Sequence, residues 1–284
     1  MVHRKIGGMI DPEVRVPVGR RRLWMKFSHP LPFMLSRYPH YDMLVPRLAR
    51  ALREQPGNLS IIDVGANIGD TASLVLDLVD AQVLAIEPDP DYFGFLRRNT
   101  HDLPGVTCVN AALGAADAAG GAALTKVAGT AFLAAGGGIT LDTLLDGHPE
   151  FAQAALLKID TDGFDFKVLK GARRLLAAAR LAVFFELAPE HYEKVGRENP
   201  AEVFPFLREL GYATIVFYDN EGWLVFSGVA DDFRVFAELI RYARTKGHYF
   251  DVLALHGSQA GFAGAFLAAE LRHYQPAAHG YLPA

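Results

Sequence analysis

Five strand-like runs of this chain stop on polar residues that could hold a charged ligand: Asp63 and Gly65 after SIIDV, Glu87 after QVLAI, Asn110 after VTCV, Asp160 and Asp162 after ALLKI, and Glu186 after LAVFF. One polar residue after a strand is ordinary loop composition. Their succession is a pattern, because open α/β sheets bind ligands beyond the carboxyl ends of their strands. The first such end, IIDVGANIGD at 61–70, carries Gly65 and Gly69. Glycines there let the backbone turn sharply and leave N–H groups free at a helix start. A dinucleotide site asks for G-x-G-x-x-G at this place. Gly65-Ala66-Asn67-Ile68-Gly69 lacks the middle glycine, and a carboxylate at Asp63 opposes a pyrophosphate. It suits an amine-bearing or cationic ligand. Glu87, at the end of the next strand, stands where an acid accepts hydrogen bonds from both ribose hydroxyls. The pair points to S-adenosylmethionine, with one acid near the amine or sulfonium end and the other on the ribose.

These positions need a sheet to align them. Apolar runs at 60–64, 82–86, 106–109, 155–159 and 181–185, and later ATIVF, WLVF and DVLAL, alternate with helical patterns at 70–79, 90–99, 165–179, 200–210, 231–245 and 259–273. That alternation predicts an α/β fold on a mostly parallel sheet. Asp219 to Gly222 reads as the turn of an antiparallel hairpin near the end. Residues 1–58 form a head or lid segment before a ligand-binding domain at 59–284. Pro30, Pro32 and Pro39 break helices in the head, LVPRLARALRE reads as one amphipathic helix, and the Ala/Gly-rich stretch 111–138 reads as a mobile surface excursion.

Composition excludes several classes. The chain has 284 residues, 51% of them hydrophobic, enough for a full core. Its net charge of −4 argues against general nucleic-acid binding, although the chain through Arg37 carries eight Lys or Arg against two acids. That basic head reads as a solvated segment, or as a face for an anionic substrate or membrane. A single cysteine, Cys108, permits no intrachain disulfide, and no apolar run reaches the roughly 18 residues of a membrane span. A soluble, cytoplasmic protein is expected. The oligomeric state, a homodimer included, is left open.

IIDVGANIGDT, AIEPDP, VNAALG, LLKIDTDGFDFKVLKGA and FFEL, in this order, resemble the FkbM-type S-adenosylmethionine-dependent methyltransferases, over about residues 25–256. The head, with HPLPFMLSRYPHYD, resembles members found with polysaccharide and lipopolysaccharide biosynthesis. The resemblance implies a Rossmann-like class I methyltransferase sheet ending in an antiparallel hairpin. It also implies transfer of a methyl group to an oxygen of a sugar, free or as a nucleotide- or lipid-linked glycan, or of a small natural product. Asp63, Gly65, Ala66, Asn67, Ile68 and Gly69 would surround the methionine part of the cofactor. Glu87 would hold the ribose, Asn110 and Ala111 would lie near the adenine, and Asp160 near the amino group. The sequence departs from the family at 161–163, where TDG stands in place of the commoner VEG, so Asp162 is one methylene shorter.

A sugar hydroxyl is a poor nucleophile at neutral pH, so a base or metal is expected. In the favoured version, without metal, Asp162 or His191 is the base. In the other, Asp160, Asp162 and Glu186 hold Mg²⁺. Lys158 shares a strand face with Asp160 and is expected to pair with Glu186, in a structural or a catalytic role. His29, Arg37, Tyr38 and Tyr41 are candidates for sugar or phosphate contacts. His248 and His256 are weaker ones, and the phenylalanines at 164 and 166 are expected to anchor a helix to the sheet. Two other readings are a nicotinamide-dependent dehydrogenase, opposed by the missing glycine and Asp63, and a binding module that keeps the pocket without chemistry.

Overall fold

The computed structural model describes residues 11–117, 124–127, 130–133 and 138–274; of 124–127 and 130–133 only the backbone is described. The expectation of a mobile excursion at 111–138 thus falls largely outside the described residues. An N-terminal hairpin pairs β1 (Glu13–Val18) with β2 (Arg21–Lys26). Two head helices follow, α1 (Leu31–Arg37) and α2 (Leu44–Arg53). The sheet region then runs β3 (Ser60–Val64), α3 (Asp70–Leu76), β4 (Gln82–Ile86), α4 (Pro90–Thr100) and β5 (Val106–Val109). A short antiparallel pair, β6 (Leu124–Val127) and β7 (Thr130–Leu133), leads to α5 (Leu141–Asp146). The remainder is β8 (Leu156–Ile159), α6 (Asp165–Gly171), α7 (Arg173–Ala179), β9 (Ala182–Leu187), α8 (Pro189–His191), α9 (Val203–Glu209), β10 (Tyr212–Asp219), β11 (Leu224–Val229), α10 (Phe233–Lys246), β12 (Phe250–His256) and α11 (Ala260–His273).

Eight strands form one sheet in the order β11-β10-β12-β9-β8-β3-β4-β5. The strands from β9 to β5 are parallel, β12 runs antiparallel between β9 and β10, and β11 closes the expected hairpin. Strands β3 (SIIDV) and β8 (LLKI) are buried at every position, as a parallel sheet with both faces covered requires. Ile62, Val64, Leu157 and Ile159 pack on the layer that includes α5 to α7, α9 and α10. Ile61 and Leu156 face the layer of α2 and α3. The alternation of strand side chains sends Asp63 and Lys158 toward that second layer.

The chain order reverses between β3 and β8, the switch point at which such sheets bind ligands. The head is fixed over this end. Leu44, Val45, Leu48, Ala49 and Leu52 bury the apolar stripe of α2, and each buried leucine stabilises by about 2 kcal/mol. Arg47 on α2 donates two 2.9 Å bonds to Glu270 of α11, which also accepts from Tyr218 at 3.1 Å. Asn99 of α4 accepts from Trp24 N–H at 2.7 Å and donates to the carbonyl of Ile68 at 2.9 Å. The hairpin is thereby tied to the turn after β3.

Three details differ from the sequence reading. The head contains the β1–β2 hairpin, whose Val14, Val16 and Val18 alternate with Glu13, Arg15 and Pro17, and its inner face packs on Ile68 and Phe95. The helix expected at 165–179 is two helices divided at Ala172. The late antiparallel region is also larger than one hairpin, since β12 is inserted beside β9.

Candidate active site

A cavity of about 410 Å³ opens at the switch point. It is lined by the turn after β3 (Gly65, Asn67, Asp70), by Glu87, by the loop after β8 (Asp160 to Asp162), by Glu186 and His191, and by His29, Tyr41 and Asp42 of the head. Gly65 has φ +78, and a Cβ there would sit 1.8 Å from the carbonyl oxygen of Asp160. Glycine is therefore what lets the β3 and β8 loops touch. Three other non-glycine residues on the wall, Asp42, Asn67 and Asp162, have φ of 56, 49 and 49. Asp and Asn tolerate this left-handed region best, and such strain gathers at functional sites.

The β3–β4 end of the cavity is pre-organised. Glu87 accepts the N–H of Asn67 and of Asp89, each at 2.8 Å. Burial pushes its carboxyl up to about 7 against those two bonds. His29 Nε2 meets Asn67 Oδ1 at 3.2 Å, and burial lowers the imidazole's pKa while the Asn67 contact opposes that shift. At the floor, Asp63 lies opposite Lys158 in the β3–β8 register. Lys158 Nζ stands 3.2 Å from Asp63 and 3.4 Å from Asp160, and 3.4 Å from the carbonyl oxygen of Gly65. Burial pulls the lysine down, but the carboxylates of Asp63, Asp160, Asp70 and Asp42 outweigh it and hold the ammonium well above its ordinary value. Burial raises Asp63 against the pull of Lys158, and raises Asp70 to about 6.

The opposite corner is built differently. Asp162, Glu186 and His191 each bring a donor atom within 4.8 Å of the others, and His191 Nδ1 lies 3.9 Å from Asp162 Oδ1. Gly163, at φ +102, permits this: a Cβ there would lie 2.6 Å from the backbone carbon of His191. His191 ends α8 just before a π-turn at Tyr192–Gly196, and the Tyr192 hydroxyl donates to the carbonyl of Glu186 at 3.0 Å. Glu186 Oε1 is buried without a hydrogen-bond partner. Its register partner on β12 is another acid, Asp251. Burial, then the surrounding carboxylates, raise both acids well above their ordinary values.

Several site expectations are corrected by this geometry. Lys158 pairs with Asp63 and Asp160 rather than Glu186, because the parallel register sets it opposite Asp63. Asp160 therefore turns to the lysine, and His191 replaces it beside Asp162 and Glu186 in the oxygen-rich set proposed for Mg²⁺. The side chains of Ala66 and Ile68 enter the core, and Gly69 starts α3. Asn110 lies off the cavity wall and donates to the carbonyls of Glu87 at 2.7 Å and Pro88 at 3.1 Å, while Ala111 does line the wall. Arg37 is exposed and stacks on Tyr38 at 5.7 Å, and neither lines the cavity. Phe166 is in the core as expected, but Phe164 is on the wall. His248 and His256 lie off the wall. Sequence reasoning missed Asp42, Asp70, Tyr92, Tyr249 and Asp251. Asp42 and Asp70 stood within the quoted stretches YPHYD and NIGD, whereas Tyr249 and Asp251 gave no signal beyond a YFD before an apolar run.

The fold is an α/β sheet, parallel from β9 to β5 and antiparallel at its β12-β10-β11 end, as expected of a Rossmann-like sheet ending in an antiparallel hairpin. The chain is similar to the precorrin-6y C5,15-methyltransferase of Geobacter metallireducens, with 14% identity and a TM-score of 0.41 over 75% of this chain and 87% of that one. It is similar to TYW2 of P. horikoshii, solved in complex with MeSAdo, with 12% identity and a TM-score of 0.42 over 87% and 72%. The FkbM methyltransferase of Methylobacillus flagellatus has 14% identity and a TM-score of 0.35 over 64% of this chain and 52% of that one. No curated protein matches the chain. No helix among the described residues is long and apolar enough to cross a membrane. The model of the methyltransferase FkbM domain matches residues 137–214. The family resemblance read in the strand-end motifs is thus met over the segment that supplies β8, β9 and the Asp162–Glu186–His191 corner, the part of the chain that the FkbM domain model matches.

Proposed function

We propose that the protein is an S-adenosylmethionine-dependent O-methyltransferase acting on a sugar hydroxyl of a surface polysaccharide, a lipopolysaccharide or one of their precursors. The observation that carries the cofactor is Glu87, an acid held by two backbone N–H groups at the end of β4, where it would accept the ribose hydroxyls. The carboxylate side of the floor, Asp63 and Asp160 around Lys158, supports a ligand with an ammonium and a sulfonium. A pyrophosphate would meet Asp70 and Asp160 on the same wall.

Methyl transfer forms the bond from the acceptor oxygen to the methyl carbon as the carbon–sulfur bond breaks, and S-adenosylhomocysteine leaves. The sulfonium is already a good leaving group, so orientation of the acceptor and removal of its proton are what the protein adds. The Asp162–Glu186–His191 corner is where that proton would be handled. Tyr41 and His29 line the wall on the head side, where the acceptor's sugar ring would pack. The test is transfer of a labelled methyl group from S-adenosylmethionine to bacterial glycan and nucleotide-sugar fractions by wild type and Asp162→Asn. Label in a sugar ether, at least 100-fold less with the variant, supports the reading. Label on nitrogen, or only on small natural products, replaces the acceptor class, and no transfer with intact cofactor binding would favour a binding module.

A further inference from the structure

We propose that Asp162, Glu186 and His191 form a binding site for one divalent cation of the manganese type. The three offer one imidazole nitrogen and two carboxylates within 4.8 Å of one another. The corner is built rather than incidental. Gly163 removes the Cβ that would collide with the backbone of His191, Asp162 is held at φ 49, and the Tyr192 hydroxyl fixes the end of β9. A second observation points to a positive ligand: Glu186 Oε1 is buried with no hydrogen-bond partner and faces Asp251 across the β9–β12 register. Two carboxylates side by side, one of them with a buried oxygen, are costly unless a cation joins them. Among the described residues, Lys158, the buried lysine of this wall, has its ion pairs with Asp63 and Asp160 rather than with Glu186.

The donor set selects the ion. Carboxylates suit Mg²⁺, Ca²⁺ and Mn²⁺, and the imidazole shifts preference toward Mn²⁺ over Mg²⁺. Three protein donors leave about three positions of an octahedral ion for water or for neighbouring oxygens of an acceptor. The inference deepens the proposed reading by naming how the acceptor would be held, but the ion site rests on its own geometry.

Calorimetric titration of MnCl₂ and MgCl₂ into the EDTA-treated, dialysed full chain tests it, with S-adenosylhomocysteine titrated separately in EDTA. One Mn²⁺ per chain is expected, bound at least tenfold more tightly than Mg²⁺. Glu186→Gln and His191→Ala should each weaken it at least tenfold, while Glu190→Gln, on the same turn but paired with Lys194, should change it less than twofold. His191 is exposed, so its variant keeps the fold, and Mn²⁺ should raise the melting temperature of wild type but not of His191→Ala. Absence of saturable Mn²⁺ binding, or equal binding by wild type and both variants, overturns the site. S-adenosylhomocysteine binding without Mn²⁺ binding sinks this inference alone; Mn²⁺ binding without S-adenosylhomocysteine binding sinks the cofactor reading instead.

Discussion

Two glutamates end two strands of the same sheet on the same cavity, and they are treated in opposite ways. Glu87, after β4, has both oxygens engaged by backbone N–H groups. Glu186, on β9, leaves one buried oxygen unpartnered and stands opposite a second acid. The first belongs to a finished subsite, whose hydrogen bonds exist before any ligand arrives. The second belongs to a corner that a ligand must complete. A binding pocket can thus be rigid where the invariant part of a reaction is held and under-satisfied where the variable partner enters, at a cost of stability confined to a few side chains.

The largest expected effect breaks the floor that both halves share. Lys158→Met leaves Asp63 fully buried without its cation, and removes the partner of the exposed Asp160, and should destabilise the protein by about 3–5 kcal/mol, read by urea denaturation. A loss below about 1 kcal/mol would show that the pair does not hold the floor. Next come the two glutamates. Glu87→Gln should weaken S-adenosylhomocysteine binding at least tenfold. Glu186→Gln should leave that affinity within about threefold, lower turnover at least 100-fold, and raise apo-protein stability by about 1 kcal/mol at pH 8, because an unsatisfied buried acid becomes neutral. Equal effects of both on cofactor binding would erase the contrast.

The pH dependence sharpens it. Glu87 has an ordinary pKa of 4.5 and a folded one of about 7. Between these values the folded state binds more protons than the unfolded state, so this group's contribution to stability falls as pH rises through that window. Ionised Glu87 is the better ribose acceptor, so cofactor affinity should rise toward pH 7 to 8, by up to about tenfold per pH unit below 7. The slope should vanish in Glu87→Gln. The smallest expected effect is that of Arg37→Ala, which should change KM and kcat less than twofold, because Arg37 stacks on Tyr38 away from the cavity.

The parallel half of the molecule was legible because buried parallel strands are short apolar runs with polar stops, and SIIDV, QVLAI and VTCV are strands over the residues read from the sequence. The resemblance to the FkbM methyltransferases added the cofactor assignments, and the match at 137–214 meets it there. The antiparallel half was less legible. The β1–β2 hairpin was hidden by arginines on its outer face and by the prolines that follow it. Asp251 comes to Glu186 only through the insertion of β12 beside β9, a pairing between residues 65 positions apart that no local pattern encodes. Lys158 was read as a lysine needing an acid, which was right in kind, but only the register shows that the acid is Asp63.

The most direct test of the cofactor assignment is calorimetric titration of S-adenosylhomocysteine, with NAD⁺ as control, into wild type and Glu87→Gln. The account predicts micromolar binding of S-adenosylhomocysteine to wild type, at least tenfold weaker in the variant, and no binding of NAD⁺. Tighter binding of NAD⁺, or no binding of S-adenosylhomocysteine to folded wild type, would contradict it.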